Sequence, residues 1–357
     1  MVTRTAALFT EATAISVPQV LIVDDSAVAR AVIARTIDMQ GRYAVAGAVS
    51  DAHAALAFLA DHRVDVILLD IELPGIDGLT ALPDLIAAGR GARVLIVSSS
   101  CGENAATTIQ ALTLGAADTL VKPSAGELAG RFATILDAKL ARLLDDDYSS
   151  LADEPVQTSA PVRRPDFDIV AIGASTGGIH ALSHLLRAIP ASFQTPILVT
   201  QHLPESFMPY FAAQLAVLVG RPCDVAVDFM AIKPGRIMVA PGDAHIHCVA
   251  QGDRVIVQLG RENVPSGCRP SVDPMFATVA KVYGRRALAI VLSGMGRDGT
   301  DGARRVAAAG GVVVAQDKAS SVVWGMPGSV VQEGLARLQL HPDDIGRLVA
   351  SQRRPSC

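Results

Sequence analysis

The chain has 357 residues, 50% of them hydrophobic and 18% charged, with a formal net charge of −4. That length and apolar content suit two domains with sizeable cores. The faintly acidic balance and an aromatic content of only 4% exclude a basic, base-stacking nucleic-acid surface. No apolar run approaches the ~20 residues that cross a bilayer.

In chain order, residues 1–17 carry Arg4 and a short apolar patch broken by Glu11, and read as a disordered leader rather than a signal peptide. Residues 18–140 alternate apolar runs with amphipathic stretches. The strand candidates are Val20–Val23, Ala44–Val49, Val66–Leu69, Val94–Val97 and Thr119–Val121; helical stretches include Val28–Met39, Ala52–Ala60 and Ala105–Leu114. Near-continuous apolar strands between helices predict a parallel sheet covered on both faces. Residues 141–165, with Asp145-Asp146-Asp147 and the flanking Pro161 and Pro165, read as a linker.

A second α/β pattern fills residues 166–350. Its strand candidates are Ile169–Ile172, Ile197–Thr200, Ile237–Val239, Val255–Leu259, Ala287–Leu292 and Val312–Ala315. The stretch from Gly235 to Gly260 predicts some antiparallel pairing within a mostly parallel sheet. Residues 351–357 form a tail. Five cysteines, at 101, 223, 248, 268 and 357, form no CxxC pair, which fits free thiols in a reducing cytoplasm.

In a doubly wound sheet, ligands bind outside the carboxyl ends of the strands. In the first half those ends carry Asp24 and Asp25, Asp70, Ser98, and Lys122 followed by Pro123. Clustered carboxylates repel one another unless a cation joins them, and oxygen ligands of this kind suit Mg²⁺. A lysine opposite can neutralise an added phosphoryl group. This stretch resembles a response-regulator receiver domain, a flavodoxin-like fold of five parallel strands. The resemblance rests on the loop Asp70-Ile71-Glu72-Leu73-Pro74-Gly75-Ile76-Asp77-Gly78 and on Lys122-Pro123. It implies that Asp70 accepts a phosphoryl group, that Asp24, Asp25 and Asp70 hold Mg²⁺, and that Ser98 and Lys122 are the switch residues. Thr119 stands where many receivers carry an aromatic residue.

In the second half, Gly173-Ala174-Ser175-Thr176-Gly177-Gly178 turns sharply from a strand into a helix. Such a turn suits a nucleophile and equally a phosphate cradle. A serine needs a base. His202 follows the next strand, and Asp298 follows the strand ending in Leu292-Ser293-Gly294-Met295-Gly296. Taken singly, Ser175 serves as well for a helix cap, His202 for a loop histidine and Asp298 for a turn residue. Their shared position at three strand ends favours a Ser-His-Asp set, with free amides near Met295 for an oxyanion. The order Ser, His, Asp departs from the Ser, acid, His order of an α/β-hydrolase. The missing Gly-Lys-Ser/Thr weakens the phosphate cradle.

Residues 167–345 resemble the catalytic domain of the chemotaxis protein-glutamate methylesterase (CheB) family. The matching segments include Gly173–Gly178, Gln201-His202-Leu203-Pro204, Arg269-Pro270-Ser271-Val272-Asp273 and Gly294–Gly299. The resemblance implies Ser175 as nucleophile, His202 as base, Asp298 as its orienter, Met295 as oxyanion donor and Thr176 as a support for the imidazole. It implies a methylesterase and glutamine deamidase that needs no cofactor for its ester chemistry. Its expected partners are methylated chemoreceptor helices and a chemotaxis histidine kinase as phosphodonor, in the cytoplasm, with no nucleic acid and no membrane insertion. Phosphorylation at Asp70 is expected to uncover the Ser175 cleft. Cys268 stands where the family often has histidine, which implies an altered substrate contact.

Overall fold

A computed structural model describes residues 17–98, 105–122, 129–144 and 167–351. Most of the expected leader, linker and tail, together with Cys101, Pro123 and Cys357, lie outside these residues. The first sheet is built from β1 (Gln19–Val23), β2 (Ala44–Val49), β3 (Val66–Asp70), β4 (Arg93–Ser98) and β5 (Asp118–Val121). All its pairings are parallel, in the order β2-β1-β3-β4-β5. Five helices accompany it: α1 (Ala27–Gln40), α2 (Ala52–Asp61), α3 (Gly78–Ala88), α4 (Ala105–Leu114) and α5 (Ala129–Leu144).

The caps follow from local chemistry. Ser26, Asp51 and Asp77 begin α1, α2 and α3 by accepting backbone N–H groups three residues on. Helix α5 runs on to Leu144, so residues 141–144, assigned from sequence to the linker, are helical. The cause is spacing: Leu136, Leu140 and Leu143 lie on one helical face and are buried against the first sheet.

The second half contains β6 (Ile169–Ala174), α6 (Gly178–Arg187), β7 (Ile197–Gln201), α7 (Met208–Val219), β8 (Cys223–Val225) and β9 (Ile237–Val239). There follow β10 (His245–Gln251), β11 (Arg254–Gly260), α8 (Val272–Tyr283), β12 (Ala287–Val291), α9 (Thr300–Ala308) and β13 (Val312–Gln316). The domain closes with α10 (Gly325–Gln332), β14 (Leu338–Leu340) and α11 (Pro342–Ala350). Its main sheet has the order β14-β13-β12-β6-β7-β9-β8. Every pairing in that sheet is parallel. The antiparallel pairing expected inside the main sheet is instead a separate ribbon of β10 and β11. Ile246, Cys248 and Val257 of this ribbon are buried against α8, so the hairpin caps one face of the sheet rather than extending its edge.

Chain order reverses at β6, which lies between β7 and β12. The carboxyl ends of these three strands therefore frame the crevice where ligands bind in open α/β sheets. The two domains share one apolar core. Ile109 and Leu112 of α4 belong to the same buried cluster as Ile179, Leu182, Met208 and Phe211 of α6 and α7.

The Phe276 ring of α8 is wholly buried beneath the main sheet. Phe276→Ala should destabilise the second domain by roughly 3–5 kcal/mol, read as a lowered urea midpoint for that domain.

Candidate active site

The loop after β6 carries Ser175. Its N–H donates to Ser293 O at 3.0 Å, tying this turn to the one after β12. Gln201 Nε2 donates to Ser175 O at 2.9 Å, and Ser293 Oγ donates to Thr176 O at 2.8 Å. Gly177 has φ 74°, a conformation costly for any side chain, and an added Cβ would collide with Val322. At Gly294 a Cβ would collide with Met326 Sδ and come within 2.8 Å of Ser175 Cβ. These glycines let the two turns touch, leaving the serine hydroxyl facing a cleft of about 640 Å³ that Ser175, Thr176, Gln201 and His202 help to line.

Asp298 is 2% exposed. Its carboxylate accepts from Ser271 Oγ at 2.6 Å, Val272 N at 2.8 Å, Asp273 N at 3.3 Å and His202 Nε2 at 2.8 Å. Burial opposes its charge, but the His202, Ser271 and Val272 hydrogen bonds prevail and hold its pKa at about 2. Asp273 moves the other way: burial, and then the neighbouring Asp298 charge, push its carboxyl up. Burial alone would lower the His202 pKa. Its hydrogen bonds with Asp298 and then Cys268 outweigh that and raise it to about 9.

Because Nε2–H donates to Asp298, the lone pair of a neutral His202 lies on Nδ1, the ring nitrogen left for a proton transfer. Among the described residues the Ser175 hydroxyl has no hydrogen-bond partner, and neither it nor the Thr176 hydroxyl bonds His202. Met295, 39% exposed, lies in the turn after β12, and among the described residues its N–H donates to no acceptor. Sequence reasoning cited Ser271 only as part of a motif. Its hydroxyl, at the N-cap of α8, makes the shortest bond to Asp298; a serine preceding a helix was the available signal, but its target was visible only in the fold.

The first domain gathers the other predicted residues. Lys122 Nζ lies 2.6 Å from Asp70 Oδ2 and 2.8 Å from Asp24 Oδ2. Burial raises the Asp70 pKa despite Lys122, and the Asp70 and Asp24 hydrogen bonds raise that of Lys122 despite burial. Carboxylate oxygens of Asp24, Asp25 and Asp70 lie within 4.8 Å of one another, an all-oxygen donor set of the kind a hard divalent ion takes. Ser98 Oγ is buried and, among the described residues, lacks a hydrogen-bond partner. The residues present thus fit the Mg²⁺ site implied by sequence.

The two sites are mechanically joined. Strand β5 begins just after Ala117, whose carbonyl accepts from Gly177 N at 2.9 Å, and ends just before Lys122, whose N–H donates to Ser98 O at 2.7 Å. Half-buried His180, whose pKa is lowered chiefly by burial, bonds through Nδ1 to Thr113 O at 3.0 Å. Arg93 Nε donates to Val322 O at 3.1 Å. Leu112, Leu120, Phe132 and Ile135 of the first domain wall the cleft that holds Ser175 and His202.

Two parallel sheets, one with an acidic pocket and lysine, the other with serine, histidine and aspartate at adjoining strand ends, define a receiver-coupled α/β protein of hydrolase type. Comparison with known proteins agrees. The CheB methylesterase family matches residues 170–349, and the response regulator receiver domain matches residues 20–131. A Caulobacter vibrioides protein named protein-glutamate methylesterase/protein-glutamine glutaminase 2 is 40% identical over 94% of this chain and 99% of its own length. A Paramagnetospirillum magneticum protein, protein-glutamate methylesterase/protein-glutamine glutaminase 1, is 37% identical over 92% of this chain and 94% of its own. The crystal structure of the Thermotoga maritima CheB methylesterase catalytic domain has a TM-score of 0.50 and 38% identity, over 52% of this chain and 98% of that one. The chain belongs to the CheB methylesterase family, with a response-regulator receiver domain in front. Among the described residues, no helix is long and apolar enough to cross a membrane.

The His202–Asp298 pair adds stability that is complete between pH 3.8 and 6.5, fades as pH rises through about 9, and is lost as pH falls through about 2. In an NMR titration His202 should lose its proton well above pH 6.5, and Asp298→Asn should move that midpoint downward; an unmoved midpoint would discount the pair.

Proposed function

We propose that this chain is a phosphorylation-controlled protein-glutamate methylesterase and protein-glutamine deamidase of the cytoplasm, acting on methylated chemoreceptor helices through Ser175, His202 and Asp298. The observation that carries the reading is the His202–Asp298 bond at a strand end beside Ser175, in one cleft.

Ser175 Oγ attacks the carbonyl of a glutamate γ-methyl ester as its proton passes to His202 Nδ1. Asp298 holds the ring through Nε2–H and stabilises the imidazolium. The Met295 amide donates to the oxyanion, an interaction whose loss typically costs about 3–4 kcal/mol. The tetrahedral intermediate collapses, His202 returns the proton to the leaving oxygen, and methanol departs. Water, deprotonated by the same histidine, cleaves the acyl-enzyme to free glutamate; with a glutamine substrate, ammonia leaves instead. Only neutral His202 is a base, so kcat/KM climbs as pH rises towards about 9.

In the receiver, Asp70 accepts a phosphoryl group from a histidine kinase. Asp24, Asp25 and Asp70 would hold Mg²⁺, which offsets phosphoryl charge when bound. Lys122 Nζ pairs with the added charge, and Ser98 Oγ gains a partner in a phosphoryl oxygen. Drawing in Ser98 and Lys122 pulls on the end of β5, and Ala117 at its start holds Gly177. Loosening that contact opens the cleft.

Ser175→Ala should slow methanol release from methylated receptor by roughly 10⁴-fold or more; near-native rates would remove Ser175 from the chemistry. A small-molecule phosphodonor with Mg²⁺ should raise the rate of the full chain, and Asp70→Asn should eliminate that rise. Residues 165–357 alone should outpace the unphosphorylated full chain; an equal or lower rate contradicts occlusion.

A further inference from the structure

Cys268 is a cleft-lining thiol whose chemistry the esterase reading leaves unused. It sits beside His202 and Arg269 at the mouth of the Ser175 cleft. Its thiol lies in hydrogen-bond reach of the His202 ring and donates weakly to Ser266 O at 3.7 Å. Cys268 Sγ, a His202 ring nitrogen and an Asp298 carboxylate oxygen lie within 4.8 Å of one another.

We propose that Cys268 and His202, backed by Asp298, form an inhibitory binding site for a thiophilic divalent metal ion, with Zn²⁺ the best fit. The donors are a sulfur and an imidazole nitrogen, which suit Zn²⁺ and its softer relatives; the acidic pocket of the receiver offers oxygen alone. Tetrahedral Zn²⁺, with bonds of about 2.3 Å to sulfur and about 2.0 Å to nitrogen, draws such donors to within ~3.6 Å of each other. Small side-chain rotations close the observed spacing.

The support around the metal position is already built. Asp298 is fixed by Ser271 Oγ and the Val272 N–H, and it holds His202 from behind, as outer carboxylates hold metal-binding histidines. The other described cysteines offer no alternative. Burial pushes the thiols of Cys223 and Cys248 up to about 12, so neither supplies a thiolate near neutral pH.

Binding releases the Cys268 thiol proton and one imidazole proton to solvent, with no redox change. Occupying the imidazole lone pair removes the base, so the inhibitory part of the proposal rests on the esterase reading; the binding part does not.

The test uses the full chain with excess Mg²⁺ to fill the receiver carboxylates. Cd²⁺ should add one ion per chain with a thiolate-to-metal charge-transfer absorption that vanishes in Cys268→Ser, and His202→Gln should weaken that binding by on the order of tenfold or more. Zn²⁺ should slow methyl-ester hydrolysis by roughly tenfold or more, reversibly with chelator, and Cys268→Ser, measured against its own metal-free rate, should lose most of that inhibition. No absorption, or an absorption that persists in Cys268→Ser, overturns the site. Absorption with an unchanged rate overturns the inhibitory role. Absence of any esterase activity, with the absorption intact, instead counts against the esterase reading and upholds the metal site.

Discussion

A carboxylate sealed from water must find donors for its oxygens, and Asp298 meets that need with groups from two other parts of the chain. His202 comes from the end of β7, Ser271 and Val272 come from the start of α8, and Asp298 itself follows β12. Removing any of these donors leaves buried negative charge short of compensation. The same requirement brings the β7 and β12 strand ends together over β6, and so sets the histidine beside Ser175.

Close backbone approach does the rest. The turns after β6 and β12 are joined by Ser175 N and Ser293 O, and glycines at 177 and 294 remove the side chains that would hold them apart. Gly177 also gives its N–H to Ala117 of the receiver, so the Ser175 loop is bonded directly to the first domain. That bond lies at one end of β5, while Lys122 and Ser98 meet at the other. The four residues of β5 thus separate the Lys122–Ser98 contact from the Gly177–Ala117 bond, so the acidic pocket of the receiver and the Ser175 loop sit at opposite ends of one short strand.

Much of this is legible before folding is considered. Short apolar runs ended by glycine, aspartate or proline mark the central strands, because a strand buried on both faces must be apolar along its whole length. The acids, serine and lysine of the receiver and the Ser-His-Asp set all fall at strand carboxyl ends for the same reason. The reading failed where pattern and pairing part company. Alternation in β10 and β11 signals antiparallel strands, but not that they form their own ribbon over α8. Composition placed residues 141–144 in a linker, whereas the spacing of Leu136, Leu140 and Leu143 carries α5 through them.

Local chemistry, written in the order of residues, is enough to specify two parallel α/β domains, their strand ends, and which side chains those ends present. It cannot specify relations between segments far apart in the chain. The Ser271 bond to Asp298, the use of Nε2 and not Nδ1 by His202, the nearness of the Cys268 thiol to that ring, and the seating of Gly177 on Ala117 all arise from packing. Each depends on distances of a few ångströms between groups brought together by burial, and sequence spacing carries no information about such distances.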